Sequence, residues 1–237
     1  TDLRRLENLR SEFVANVSHE LKTPLASIQA YSETLLNGAL EDKDNNRKFV
    51  QTISRQADRL HLLIQDMLSL AKFESREEVF DLTAVDVGDV VNLCLERHDR
   101  QARQEEVELR ATGPDESIYV LADSEALQQI LDNLIDNAIK YSSPGDRVEV
   151  KWKVVDQMLL AEVTDTGIGI APEHQDRVFE RFYRVDKARS REVGGTGLGL
   201  AIVKHLVNAC QGEIELKSTL EVGTTFIIRL PLAEIPV

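Results

Sequence analysis

Within FVANVSHELKTPLASI (13–28), His19 and Glu20 stand side by side, and Thr23 and Pro24 follow one turn later. A neutral imidazole carries a lone pair on one ring nitrogen, so His19 can serve as a nucleophile or base. Pro24 has no N–H to give the carbonyl of Glu20, and its ring crowds that carbonyl. The helix is therefore expected to bend or loosen beside a side chain that must meet different partners in turn. The HExxH zinc pattern does not apply, because Thr23 occupies the place of its second histidine.

Three further polar clusters lie C-terminal to this one. Asn133 and Asn137 are four residues apart and stack on one helix face, with Asp132 and Asp136 beside them and Lys140 and Tyr141 after them. VTDTGIGI sets Asp165 at a strand end, followed by Gly167 and Gly169. GGTGLGL (194–200) brings Gly195, Thr196, Gly197, Leu198 and Gly199 to the entry of a helix. Glycines let backbone N–H groups approach an anion, and a helix N-terminus favours negative charge. The Walker pattern is absent and the spacing is GxGxG rather than GxGxxG, which argues against a P-loop or a dinucleotide fold. FERFYRVDKARSREV (179–193) lies between the last two clusters. It is charged, aperiodic and anchored by Phe179 and Phe182, and it reads as a mobile lid.

Elements must position these residues. In 1–75 the apolar residues fall at helical spacings on either side of a break at Asn37-Gly38: Val14, Leu21, Ile28 and Leu35 in the first helix, then Phe49, Ile53, Leu60, Ile64, Met67 and Ala71 in the second. A hairpin of two such helices leaves apolar surface wet, so pairing two hairpins into a four-helix bundle, a homodimer, is expected. His19 lies two residues, ~200°, from the Leu21 seam and points outward. From 79 to 237 the pattern changes to strands alternating with helices, with RVEVKWKVV and LLAEVTDT alternating like paired strands and GEIELKST and GTTFIIRLPL closing the chain as a hairpin. An α+β sandwich is expected there, one sheet backed by helices, with Asp123 or Ser124 capping the helix that carries Asn133 and Asn137.

Composition narrows the function. The 237 residues carry a formal charge of −13, which argues against a nucleic-acid partner. A phosphate ligand must then be held by local donors or a metal. Cys94 and Cys210 read as separate buried hydrophobes of a reducing compartment. Asn16-Val17-Ser18 matches a glycosylation sequon, but a cytoplasmic chain is not modified there. No apolar run approaches the ~20 residues of a membrane span. The chain opens on a helical pattern and reads as a fragment cut from something longer, so the lack of a span here says little about the parent.

In this order and at these separations, the motifs resemble those of the sensor histidine kinases of two-component signalling. SHELKTPL resembles the H box, LDNLIDNAIKYS the N box, DTGIG the G1 box, FERFYR the F box and GGTGLGL the G2 box. The resemblance covers essentially the whole chain. It implies an α + α/β protein: an antiparallel helical hairpin (1–75) forming a dimeric four-helix bundle, then a Bergerat-type (GHKL) α/β sandwich that binds ATP (79–237). By resemblance, His19 accepts the γ-phosphoryl group of ATP and passes it to an aspartate of a response regulator. Glu20 is the base partner of His19, and Thr23 positions water if the regulator is also dephosphorylated. Asp165 recognises the adenine amino group, with Gly167 and Gly169 in the same box. Asn137 helps hold Mg²⁺, while Asn133, Lys140 and Tyr141 line the nucleotide site. Gly195, Thr196, Gly197, Leu198 and Gly199 serve the phosphates and hinge the lid. Ala26, Ala30 and Tyr31 fall where the partner would dock. Two rival readings are an ATP-driven conformational machine, which leaves His19, Glu20 and Pro24 unexplained, and a scaffold that merely binds ATP.

Overall fold

The computed structural model describes residues 2–75, 80–186 and 195–233, with side chains from residue 14 to residue 72 in the first stretch. Contacts group Thr1–Ala71 with Asp186–Leu198 in one compact unit, and Lys72–Val185 with Gly199–Val237 in a second. The division falls at Ala71, a few residues before the charged SREE stretch where the change of pattern suggested it.

The helical unit consists of α1 (Asp2–Thr34) and α2 (Asn46–Ser75), joined through a wide turn at Leu35–Ala39. The break falls at Asn37-Gly38 as expected, where Gly38 takes φ +115°, a conformation that L side chains rarely adopt. Asp42 then organises the loop by accepting from the backbone N–H groups of Asp44 and Asn45 and from the Asn45 amide. Those bonds, the Asn45 amide first, hold its carboxyl below the usual range.

Pro24 does not divide the helix. It is buried, and α1 runs unbroken through it for 33 residues. A proline removes one i→i−4 bond, and the turns on either side carry the helix across. The apolar stripes split. Leu35, Leu63 and Leu70 are buried, whereas Val14, Leu25, Ile64 and Leu68 remain largely exposed on the single chain.

The second unit has a five-stranded sheet and a separate two-stranded one. Its elements run β1 (Thr83–Asp86), α3 (Val87–Gln104), β2 (Glu108–Thr112), β3 (Tyr119–Ala122), α4 (Ser124–Lys140), β4 (Arg147–Val155), β5 (Met158–Asp165), α5 (Pro172–Gln175), α6 (Gly199–Ala209), β6 (Glu213–Thr219) and β7 (Gly223–Pro231). The large sheet has the order β2-β4-β5-β7-β6, parallel between β2 and β4 and antiparallel elsewhere. The expectation of one sheet is corrected by β1 and β3, which pair with each other. Each leads directly into a helix with an aspartate cap: Asp86 accepts from the N–H groups of Gly88 and Asp89, and Asp123 from that of Ala126. The two strands therefore meet where α3 and α4 begin.

α4 packs against both α3 and α6. Its Leu127, Ile130, Leu131, Leu134, Ile135 and Ile139 are buried, as are Val148, Val150, Leu159, Phe226, Ile228 and Leu230 of the sheet. Each such apolar side chain contributes about 1.5–3 kcal/mol by burial, so the amide-bearing helix is anchored by its whole apolar face. Among the described residues, no helix is long and apolar enough to cross a membrane.

Candidate functional site

In the helical unit, His19 is exposed on α1. No described residue hydrogen-bonds its ring. Glu20 was expected against that ring, but its Oε2 lies 3.2 Å from Nη2 of Arg59 on α2. Consecutive side chains on a helix diverge by ~100°, so a carboxylate that reaches across the hairpin is turned away from its neighbour. Arg59 is 8% exposed, and pairing is what permits a charge at that depth. Thr23 donates its hydroxyl to the His19 carbonyl at 3.2 Å, and so occupies itself with the backbone ahead of the proline.

Gly195, Thr196, Gly197 and Leu198 group with the helical unit. Thr196 donates to Asp66 Oδ2 of α2 at 2.6 Å and accepts from the Leu198 N–H at 3.2 Å. Gly197 takes φ +74° and Leu198 is fully buried. The lid expectation covers 179–193, of which 187–193 lie outside the described residues.

The second unit holds Asn133, Asn137, Lys140, Tyr141, Asp165, Gly167, Gly169 and Gly199. Asp165 ends β5 on the side facing the helices and is 7% exposed. Its Oδ1 accepts from Gly167 N–H at 2.9 Å and from Thr224 N–H at 3.2 Å. No described residue donates to Oδ2. Burial raises its pKa to about 6, against the pull of those two N–H groups.

The glycines are placed by contact. A Cβ on Gly167 would stand 2.3 Å from the Tyr141 carbonyl, and one on Gly169, at φ +65°, 2.0 Å from the Thr219 carbonyl. Gly169→Ala is therefore expected to destabilise the unit by about 1–3 kcal/mol, read as a lower denaturant midpoint at unchanged slope. A Cβ on Gly199 would lie 2.6 Å from Asn133 Oδ1, so only glycine lets the start of α6 come this near α4. Asn133 donates to the Gln129 carbonyl of its own helix. The Asn137 amide meets no described hydrogen-bonding partner. Lys140 Nζ pairs with Asp136 Oδ2 at 2.6 Å.

The metal expectation can be tested on the donors present. Among the described residues, no three His, Cys, Asp or Glu side chains gather as an all-protein metal site. Mg²⁺ commonly takes only one or two protein oxygens and completes its shell with phosphates and water. An uncommitted Asn137 amide oxygen fits that arrangement.

Sequence reasoning missed the frame behind Asp165. The Ser218 hydroxyl accepts from the Ile170 N–H and bonds to the Gly223 carbonyl and the Thr224 hydroxyl, while Gly223 at φ +137° brings the Thr224 N–H to Asp165. The VGTT stretch that carries this turn was legible only as a hairpin. Arg59 and Asp66 gave no signal beyond ordinary charges on an amphipathic helix.

Comparison with known proteins adds to this geometry. Residues 9–76 match the His Kinase A (phospho-acceptor) domain, and residues 122–234 the histidine kinase-, DNA gyrase B-, and HSP90-like ATPase. The chain is 40% identical over 236 residues to the sensor histidine kinase WalK of Bacillus subtilis, covering 99% of this chain and 38% of that protein. It is 42% identical over 231 residues to the sensor-like histidine kinase SenX3 of Mycobacterium tuberculosis, covering 98% and 56%. It therefore spans about half or less of the length of these relatives. Among solved structures, the histidine kinase AdeS of Acinetobacter baumannii superposes with a TM-score of 0.74 at 25% identity, covering 91% of this chain and 98% of that one. The histidine kinase ThkA, solved in complex with the response regulator protein TrrA, shares the fold at a TM-score of 0.78 and 21% identity, covering 97% and 64%.

Proposed function

Because this chain belongs to the sensor histidine kinases, whose phospho-acceptor and ATPase domains it carries in order, we propose that it phosphorylates itself on His19 with ATP and passes the phosphoryl group to an aspartate of a response regulator. A ring nitrogen of His19 attacks the γ-phosphorus, the bond to the β-bridging oxygen breaks, and ADP leaves. The regulator carboxylate then attacks the same phosphorus, the P–N bond breaks, and the imidazole is restored. Phosphoryl transfer is mainly positioning and charge neutralisation. Mg²⁺, held in part by Asn137, would supply the latter in an acidic chain. Asp165 would accept from the adenine amino group through Oδ2, and Asn133, Lys140 and Tyr141 would line the same site. Gly195, Thr196, Gly197, Leu198 and Gly199 would approach the phosphates once Thr196 leaves Asp66.

The observation that carries this reading is His19 itself, an exposed imidazole with no hydrogen-bonding partner among the described residues, inside a matched phospho-acceptor domain. Glu20 would act as its base partner after parting from Arg59. Thr23 would orient water if the chain also dephosphorylates its regulator. The exposed Val14, Leu25, Ile64 and Leu68 favour a homodimeric four-helix bundle. The unit operates in the cytoplasm, where ATP is available, as part of a longer, membrane-tethered sensor.

Incubation with γ-labelled ATP and Mg²⁺ tests the reading. The label is expected to be acid-labile and base-stable, and to be lost in Asn137→Ala. An acid-stable label would mean serine or threonine chemistry. Steady ATP turnover without a phosphoprotein would mean a conformational ATPase.

A further inference from the structure

Beside the amide face of α4, a polar seam joins α3 to α4 with atoms that suit one protonation state. His98 of α3 sets Nε2 3.2 Å from Asp132 Oδ1 and Nδ1 3.3 Å from Gln101 Oε1. The Gln101 amide is oriented by its own donation from Nε2 to Asp136 Oδ1 at 3.0 Å. Turning it over would set its carbonyl against that carboxylate. Both ring nitrogens therefore face oxygen acceptors. A neutral imidazole has a single N–H and would leave one nitrogen lone pair against an oxygen, whereas the imidazolium donates to both.

The rest of the seam continues from these atoms. Asp132 Oδ2 holds Arg97 at 3.2 Å, and Asp136 Oδ2 holds Lys140 at 2.6 Å. The Cys94 thiol, pushed up to about 12 by burial and then by Asp132, brings no charge. The charged groups around His98 are thus Arg97 on α3 and Asp132, Asp136 and Lys140 on α4.

We propose that His98 is a proton-operated positioning residue: as imidazolium it ties α3 to α4 and, through Gln101 and Asp136, holds Lys140 in place for the nucleotide, and on deprotonation it lets that helix face relax and weakens binding. The nucleotide part rests on the function proposed above. The electrostatics agree. Burial disfavours the charged ring, but hydrogen bonds with Asp132 and Gln101 and the charges of Asp132 and Asp136 outweigh it, and the pKa is raised. Burial likewise opposes the Asp132 charge, yet His98 and its neighbours hold that carboxyl below its ordinary value. The His98 contribution is complete below the ordinary imidazole pKa and is lost as pH rises through the raised one. The Asp132 contribution is lost as pH falls through its lowered value. The seam is tightest between the two.

Nitrogen-detected NMR of the wild-type ring and binding of a fluorescent ATP analogue from pH 6.5 to 9 test this, in a range above the Asp165 transition. Two protonated ring nitrogens are expected at the acid end of that range, and the second proton is expected to leave at a higher pH than from a free imidazole. The wild-type dissociation constant is expected to rise about fivefold across the range, the worth of one hydrogen bond. His98→Gln should start weaker and stay flat. A ring that loses its second proton no later than a free imidazole, or an unchanged alkaline rise in His98→Gln, overturns the proposal. If the analogue binds at no pH, the nucleotide reading of α4 fails and takes the Lys140 part with it; the strut itself is then decided by melting temperature, which should fall with pH in wild type and not in His98→Gln. If His98→Gln does not fold, Gln101→Met, which removes the Nδ1 acceptor and spares Asp132, should move the alkaline rise to lower pH, and an unmoved rise overturns the strut.

Discussion

His19→Gln is expected to abolish ATP-dependent labelling of the chain to background while leaving nucleotide affinity within about twofold, since surface substitutions usually shift stability by no more than ±0.5 kcal/mol. The asymmetry follows from where the ring sits. His19 is exposed and bonds to no described residue, so an amide in its place disturbs no packing and no network. What disappears is the proposed nucleophile, and α1 has no other histidine to replace it. Labelling gels read the loss, and the fluorescent analogue reads the preserved binding. Residual acid-labile label in His19→Gln would place the acceptor on another histidine and sink the assignment. A simultaneous loss of affinity would show that the ring serves the fold or the nucleotide instead.

Asp165→Asn is expected to weaken ATP binding about a hundredfold, because a hydrogen bond to a charged acceptor of roughly 1.5–3 kcal/mol is replaced by two opposed N–H donors. The fold should survive, since an asparagine oxygen can still accept from Gly167 and Thr224. Stability should rise at pH 7. With the folded pKa raised to about 6, the native state retains a proton that the unfolded chain has released between the ordinary carboxylate value and that point. Wild-type stability therefore falls as pH climbs through this window, and the full penalty remains above it. The variant should melt higher than wild type at neutral pH and lose the slope across the window. In wild type, affinity should decline as pH drops below about 6, when the carboxylate proposed to accept from adenine becomes protonated. Isothermal titration at pH 5 and pH 7 measures both effects, and wild-type affinity in Asp165→Asn would remove the adenine role.

What was legible in the sequence is what repeats over short distances. The pairing of Asn133 with Asn137 on one face of α4, a cap at Asp123 or Ser124 that the structure gives to Asp123, the Gly38 break, the β4–β5 and β6–β7 hairpins and the outward side of His19 all follow from periods of 3.6 and 2 residues and from local hydrogen bonding. The motif order was enough to identify the family. Tertiary structure decided the partners that lie far along the chain. Glu20 meets Arg59, 39 residues on, rather than the histidine next to it. Asp165 is held by Thr224, 59 residues on, and Thr196 by Asp66, 130 residues back. His98 finds Asp132 across two helices. β1 leaves the large sheet to pair with β3, and α1 continues unbroken through Pro24. Periodicity specifies which face a side chain occupies, but the group opposite that face depends on how separate elements pack, and spacing along the chain carries no record of it.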